Sequence, residues 1–99
     1  MCGRPGDDGD MRSAVDVTVT GRVQGVSFRY YADREADRLG VAGWVRNEPD
    51  GTVAAHVEGD PGAVAAFVRW CHDGPRLAHV EQVDVRDGTD QGLRSFGVR

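Results

Sequence analysis

Val15, Val17 and Val19 alternate with Asp16, Thr18 and Thr20, and just beyond them the apolar spacing changes from two residues to three or four. That switch, across the bend from Gly21 to Gly25, marks a half-buried strand followed by a helix and limits the folds open to this chain. From Ser27 onward Phe28, Tyr31, Ala32, Ala36 and Leu39 fall on one helical stripe, and Gly40 supplies the stop. Val41 to Asn47 reads as a second strand. Glu48-Pro49-Asp50-Gly51 is a turn, with Pro presetting one φ and Gly accepting a positive one. Thr52 to Glu58 is then a third strand with Val53, Ala55 and Val57 on one face.

The pattern repeats. Asp60 and Pro61 suit an N-cap and a first helical residue, and Val64, Phe67, Val68 and Cys71 form the stripe of a second helix that Gly74-Pro75 ends. Ala78 to Arg86 reads as a fourth strand through Val80, Val83 and Val85. Asp87 to Leu93 is a polar loop, and Ser95 to Arg99 a short last strand. The order β-α-β-β-α-β-β, with an antiparallel sheet and both helices on one face, specifies a ferredoxin-like α+β sandwich. Many unrelated activities use that architecture, so function has to be sought in a site.

Charge and composition narrow the chemistry. Ninety-nine residues allow one domain with a single core. Residues 1–12 carry glycine, proline and aspartate without apolar periodicity and read as a disordered acidic tail, leaving residues 13–99 as the folded domain. The net charge is −4 with no basic tract, which argues against nucleic acid, whose affinity rests on neutralising phosphates. All twelve basic residues are arginine, so Schiff-base chemistry and a P-loop lysine are both excluded. Cys2 and Cys71 are too few for a disulfide framework. No apolar run has the length of a membrane span. A cytoplasmic monomer that does not engage membranes is the expectation.

Gly21-Arg22-Val23-Gln24-Gly25-Val26 joins the first strand to the first helix. Glycines at both ends permit a turn whose successive N–H groups converge on an anion, and the helix start adds free N–H groups and the positive end of its dipole. Arg29, in the first helical turn, would add a planar fork of donors matched to phosphate oxygens. On spacing alone the matter stays open, since glycine-bounded strand–helix turns often have only a geometric job and a first-turn arginine is usually a solvated surface residue. The bend lacks the Gly-Lys-Ser/Thr ending of a Walker A loop and the Gly-x-Gly-x-x-Gly dinucleotide pattern.

Val19 to Arg29, reading VTGRVQGVSFR, resembles the first signature of the acylphosphatases. Gly43-Trp44-Val45-Arg46-Asn47, followed by Gly51, Val53 and Gly59, is similar to the second. The resemblance runs from about Ser13 to Arg99. It implies a metal-free, cofactor-free hydrolase that cleaves the carboxyl–phosphate bond of a small acyl phosphate. It further implies that the loop Arg22, Val23, Gln24, Gly25 and Val26 cradles the phosphate, that Arg29 binds the phosphoryl group, and that Asn47 positions the attacking water. An Asn side chain both donates and accepts, which suits orienting a water rather than deprotonating it.

Other residues invite other readings. His56, His72 and His79 are too scattered for a metal site, and His56 is expected on the polar face of its strand. Glu81 and Asp84 suit a solvent-facing edge, Trp44 and Trp70 the core or its rim, and Cys71 a small buried hydrophobe. Carbamoyl-phosphate-handling domains of the hydrogenase-maturation type share both signatures, but they belong to longer chains with zinc-binding cysteine pairs, and no such pairs occur in these residues. An RNA-recognition domain on the same fold would present basic, aromatic-rich strands, which are lacking here.

Overall fold

The computed structural model describes residues 12–99; the acidic segment assigned to residues 1–12 therefore lies almost wholly outside the described residues. The elements are β1 (Ser13–Arg22), α1 (Phe28–Leu39), β2 (Ala42–Asn47), β3 (Val53–Gly59), α2 (Pro61–Asp73), β4 (His79–Asp87) and β5 (Phe96–Val98). The strands form one sheet in the order β4-β1-β3-β2-β5. β1 pairs antiparallel with β3 and β4, and β2 antiparallel with β3. The ferredoxin-like order stands, but the sheet is mixed rather than wholly antiparallel, because β5 returns beside β2 in parallel, Gly43 opposite Phe96 and Val45 opposite Val98.

Period-two alternation decides which face is covered. Val17, Val19, Val45, Val53 and Val57 point to one side of the sheet and are at most 1% exposed, packed with Phe28, Ala32 and Ala36 of α1 and Val64, Phe67 and Cys71 of α2. Each of the valines and phenylalanines contributes about 1.5–3 kcal/mol by leaving water. α1 lies over β2 and β5, and α2 over β1, β3 and β4. The Asp60 carboxylate accepts from the N–H groups of Gly62 and Ala63, capping α2 at its expected start. Gly40 ends α1 by returning its N–H to the carbonyls of Ala36 and Asp37. Cys71 is buried, and its thiol is pushed up to about 12 by that burial, in keeping with an inert core residue.

Two side chains depart from the alternation. Tyr31 is 46% exposed, because a step of three residues leaves it about 60° from Phe28, on the far side of the stripe from Ala32 and Ala36. His56 is wholly buried, contrary to the expected solvated placement. It shares the sheet face away from the helices with Asp16, Trp44 and Glu58, and the segment after β4 crosses that face on its way to β5. His56 Nδ1 lies 2.7 Å from Asp16 Oδ1 and Nε2 lies 2.6 Å from Glu58 Oε2.

Candidate active site

The link between β1 and α1 is built from a buried foot and a strained rim. β1 slips register against β4 between Thr20 and Gly21. A Cβ on Gly21 would stand 2.2 Å from the His79 carbonyl oxygen, so only glycine lets the strand pass there. Val23 is 1% exposed and anchors the bend in the core. Gly25 has φ 76° and Ser27 has φ 63° and ψ 27°, both left-handed. For a non-glycine residue such as Ser27 that conformation costs about 1–2 kcal/mol, a strain typical of ligand-binding turns. α1 then begins at Phe28, with its first N–H groups at the bend.

Asn47 approaches the bend from the other direction. It ends β2, on the same side of the strand as buried Val45, so alternation turns it toward the layer containing the start of α1. The turn beyond it is tightly bonded. Glu48 N–H donates to the Thr52 carbonyl at 2.9 Å, Gly51 N–H to the Glu48 carbonyl at 3.1 Å, and Thr52 N–H to Asp50 Oδ1 at 3.0 Å. Hydrogen bonds from the Thr52 hydroxyl and N–H hold the Asp50 carboxyl below its ordinary value. The Gln24 side chain joins turn to bend: its Nε2 donates to the carbonyls of Glu48, at 2.8 Å, and Thr52, at 2.9 Å.

Between these two loops lies an open cavity of about 510 Å³. Val23, Gly25, Ser27 and Arg29 line it from the bend and helix start, and Asn47 from the end of β2. Phe28, Tyr30 and Val98 complete the wall, and among the described residues no Asp or Glu side chain lines it. Arg29 is therefore the cation facing the space, and its Nη1 donates to the Arg99 backbone oxygen at 3.0 Å. One guanidinium, helix-start amides and a carboxamide around a hollow without Asp or Glu side chains have the chemistry that suits a small oxyanion.

Of the residues singled out in the sequence, Val23, Gly25, Arg29 and Asn47 are brought together on this cavity. Arg22 is exposed as the last residue of β1, Gln24 is committed through its side chain to the β2–β3 turn, and Val26 faces a neighbouring groove with Trp70 and Leu77. Val98 and Arg99 were not anticipated as neighbours of the site. Their placement follows from the parallel pairing of β5, for which the sequence carries no local signal.

Comparison with known proteins agrees with the fold and with the family resemblance. A family model described as acylphosphatase matches residues 15–98. An acylphosphatase of Thermococcus kodakarensis is 52% identical over 87 residues, spanning 88% of this chain and 96% of the relative. One from Anaeromyxobacter dehalogenans is 61% identical over 84 residues, 84% of this chain and 90% of the relative. A solved acylphosphatase structure from Coxiella burnetii superposes with a TM-score of 0.88 at 30% identity, over 93% of this chain and 97% of that one.

Proposed function

This chain belongs to the acylphosphatase family, and from that premise we propose that it hydrolyses small acyl phosphates to a carboxylate and inorganic phosphate by direct attack of a water held by Asn47. The phosphoryl group sits against the backbone amides of Arg22, Val23, Gln24, Gly25 and Val26 and is gripped by the Arg29 guanidinium. Residues 13–99 form the catalytic domain.

The substrate explains why so few side chains suffice. An acyl phosphate is a mixed anhydride, and its leaving carboxylate departs without needing a proton, so no general acid is required. The rest of the reaction is positioning and stabilisation of charge on the phosphoryl oxygens. The phosphate itself accepts the proton of the attacking water. Arginine and amide dipoles carry out the charge stabilisation that other phosphoryl-transfer sites assign to a metal, and the reaction accordingly needs neither metal nor cofactor. On the same reading the protein acts on its small substrate as a cytoplasmic monomer, without nucleic acid or membrane. The net charge of −4 disfavours a nucleic-acid backbone, and among the described residues no helix is long and apolar enough to cross a membrane.

The observation that carries the proposal is that the bend, Arg29 and Asn47 meet on one cavity, which no Asp or Glu side chain among the described residues lines. Its test is turnover of benzoyl phosphate in excess chelator. Arg29→Ala and Asn47→Ala should each lose about 10²–10³ in rate, the usual cost of one preorganised donor, while staying folded by circular dichroism. A variant that keeps near-full activity refutes the role given to that residue, and a requirement for added divalent metal refutes the mechanism.

A further inference from the structure

Glu58 is wholly buried on the sheet face away from the helices, yet it is fully hydrogen-bonded. Oε2 accepts from the Gln91 N–H at 2.8 Å and faces His56 Nε2 at 2.6 Å. Oε1 accepts from the Leu93 N–H at 2.7 Å and from Arg12 Nη2 at 3.3 Å. Three of these partners can only donate, and they address both oxygens, so this position requires a carboxylate. An amide would aim its own N–H at another donor. His56 in turn lies between two acceptors, Glu58 and Asp16, and satisfies both only when each ring nitrogen carries a proton. With both ring nitrogens protonated the pair is an imidazolium–carboxylate, and its Glu58 member bonds the crossing segment at Gln91 and Leu93.

That segment leads directly into the cavity wall. Two residues beyond Leu93 the Ser95 carbonyl accepts from Gly43 N–H at 3.0 Å, and β5 begins. β5 has three residues and pairs only with β2, so its own ladder is too short to fix its position firmly. Phe96 packs on Phe67 with centroids 5.6 Å apart, Val98 lines the cavity, and the Arg99 N–H donates to the Val45 carbonyl at 2.8 Å. The Arg99 backbone oxygen then receives Arg29 Nη1. A second route ends on the same residue: the His56 ring stacks on Trp44 at 6.1 Å and 23°, and the Arg99 guanidinium lies 4.9 Å over that indole.

We infer that Glu58, with His56 as its buried counter-ion, is a positioning residue for Arg29, acting through the crossing segment and β5. The inference rests on the proposed role of Arg29 as the phosphoryl-binding cation. It concerns orientation alone, since Glu58 lies on the opposite face of the sheet from the cavity. The charged groups around the pair are Asp16 on β1, Arg12 ahead of it and Asp90 in the crossing segment, with Arg46 and Arg99 over the Trp44 indole on which His56 stacks.

A double-mutant cycle with benzoyl phosphate as substrate and sulfate as competitive inhibitor tests it. Sulfate keeps its charge through the working pH range, so its affinity reports the cradle alone. Glu58→Gln should weaken sulfate inhibition about tenfold and lower kcat/KM by between about tenfold and 10²-fold, the scale of a small misplacement of a binding group. In an Arg29→Ala background the same substitution should change both by less than about twofold, because the group it orients is gone. An equal penalty in both backgrounds overturns the positioning role and leaves the proposed function standing, whereas full activity in Arg29→Ala alone overturns both. Should Glu58→Gln fail to fold, the unsubstituted protein decides, with a His79→Gln variant to exclude the histidine opposite Arg22. Sulfate inhibition should weaken as His56 loses its proton, in step with movement of the Gln91 and Leu93 amide resonances. Amides that move while sulfate affinity stays constant overturn the inference.

Discussion

Removing the Gln24 side chain should separate the two halves of the site without touching either. Its Nε2 spans from the phosphate bend to the turn that follows Asn47, through bonds of 2.8 and 2.9 Å to the Glu48 and Thr52 carbonyls. Each part-buried bond is worth about 0.5–1.5 kcal/mol net. Neither carbonyl is orphaned by the loss, since Glu48 still accepts from Gly51 and Thr52 from the Glu48 N–H. Gln24→Ala should therefore cost about 1–2 kcal/mol, toward the lower end for two bonds, and lower Tm by roughly 5–15 °C in a domain of this size. The functional loss should fall on kcat. The bend and Arg29 still grip the phosphoryl group, but the water-holding Asn47 drifts relative to it, and a displacement of about 1 Å costs up to 10²-fold. Thermal unfolding and steady-state turnover of benzoyl phosphate read the two effects separately. Gln24→Glu sharpens the test: a carboxylate of nearly the same shape cannot donate and would face two carbonyl oxygens. If Gln24→Glu matches the unsubstituted protein in both Tm and kcat, the staple is not what joins bend to turn.

Two other outcomes follow from the structure. Gly25→Ala meets no atom within 4 Å but must adopt φ 76°, so it should cost about 1–2 kcal/mol from backbone conformation and reduce sulfate affinity with little steric damage; a more stable, fully active Gly25→Ala protein contradicts the left-handed bend. Stability should fall on both sides of an intermediate pH window. Burial opposes the charged His56 ring, but hydrogen bonds to Glu58 and Asp16 outweigh it and raise its pKa, so its contribution is full below the unfolded value and is lost as pH rises through the folded one. Burial also opposes the Glu58 charge, but the Gln91 and Leu93 amides and His56 outweigh it and lower its pKa, so its contribution is present above the unfolded value and is lost as pH falls through the folded one. Denaturant titrations across pH, with His56→Gln abolishing the alkaline decline, check this.

The element order was legible because two periodicities dominate the chain. Valine alternation in β1 and β3 and the stripes through Phe28 and Phe67 each named an element and its buried face. What escaped was set by contacts distant in sequence. Ala55-His56-Val57-Glu58 alternates apolar with polar and so reads as a strand with one wet face. That face is covered instead by the segment after β4, whose Gln91 and Leu93 amides bond to Glu58, and nothing near His56 signals the cover. β5 was found but its direction was not, since three residues carry no information on which neighbour they join. The bend and Arg29 were visible as glycine spacing and a first-turn cation. Asn47 could be told from an ordinary turn residue only through the family motif around it. The side-chain commitment of Gln24 and the meeting of Arg29 with Arg99 depend on tertiary closure, which local pattern does not encode.

The proposed hydrolysis requires a tetrahedral oxyanion to occupy the hollow between the bend and the end of β2. A crystal soaked in sulfate, or in phosphate as product, should show the anion within about 3 Å of the bend's backbone N–H groups and the Arg29 guanidinium, with an ordered water between it and the Asn47 carboxamide. An anion bound elsewhere, or an empty bend with Arg29 and Asn47 turned apart at saturating concentration, would contradict it.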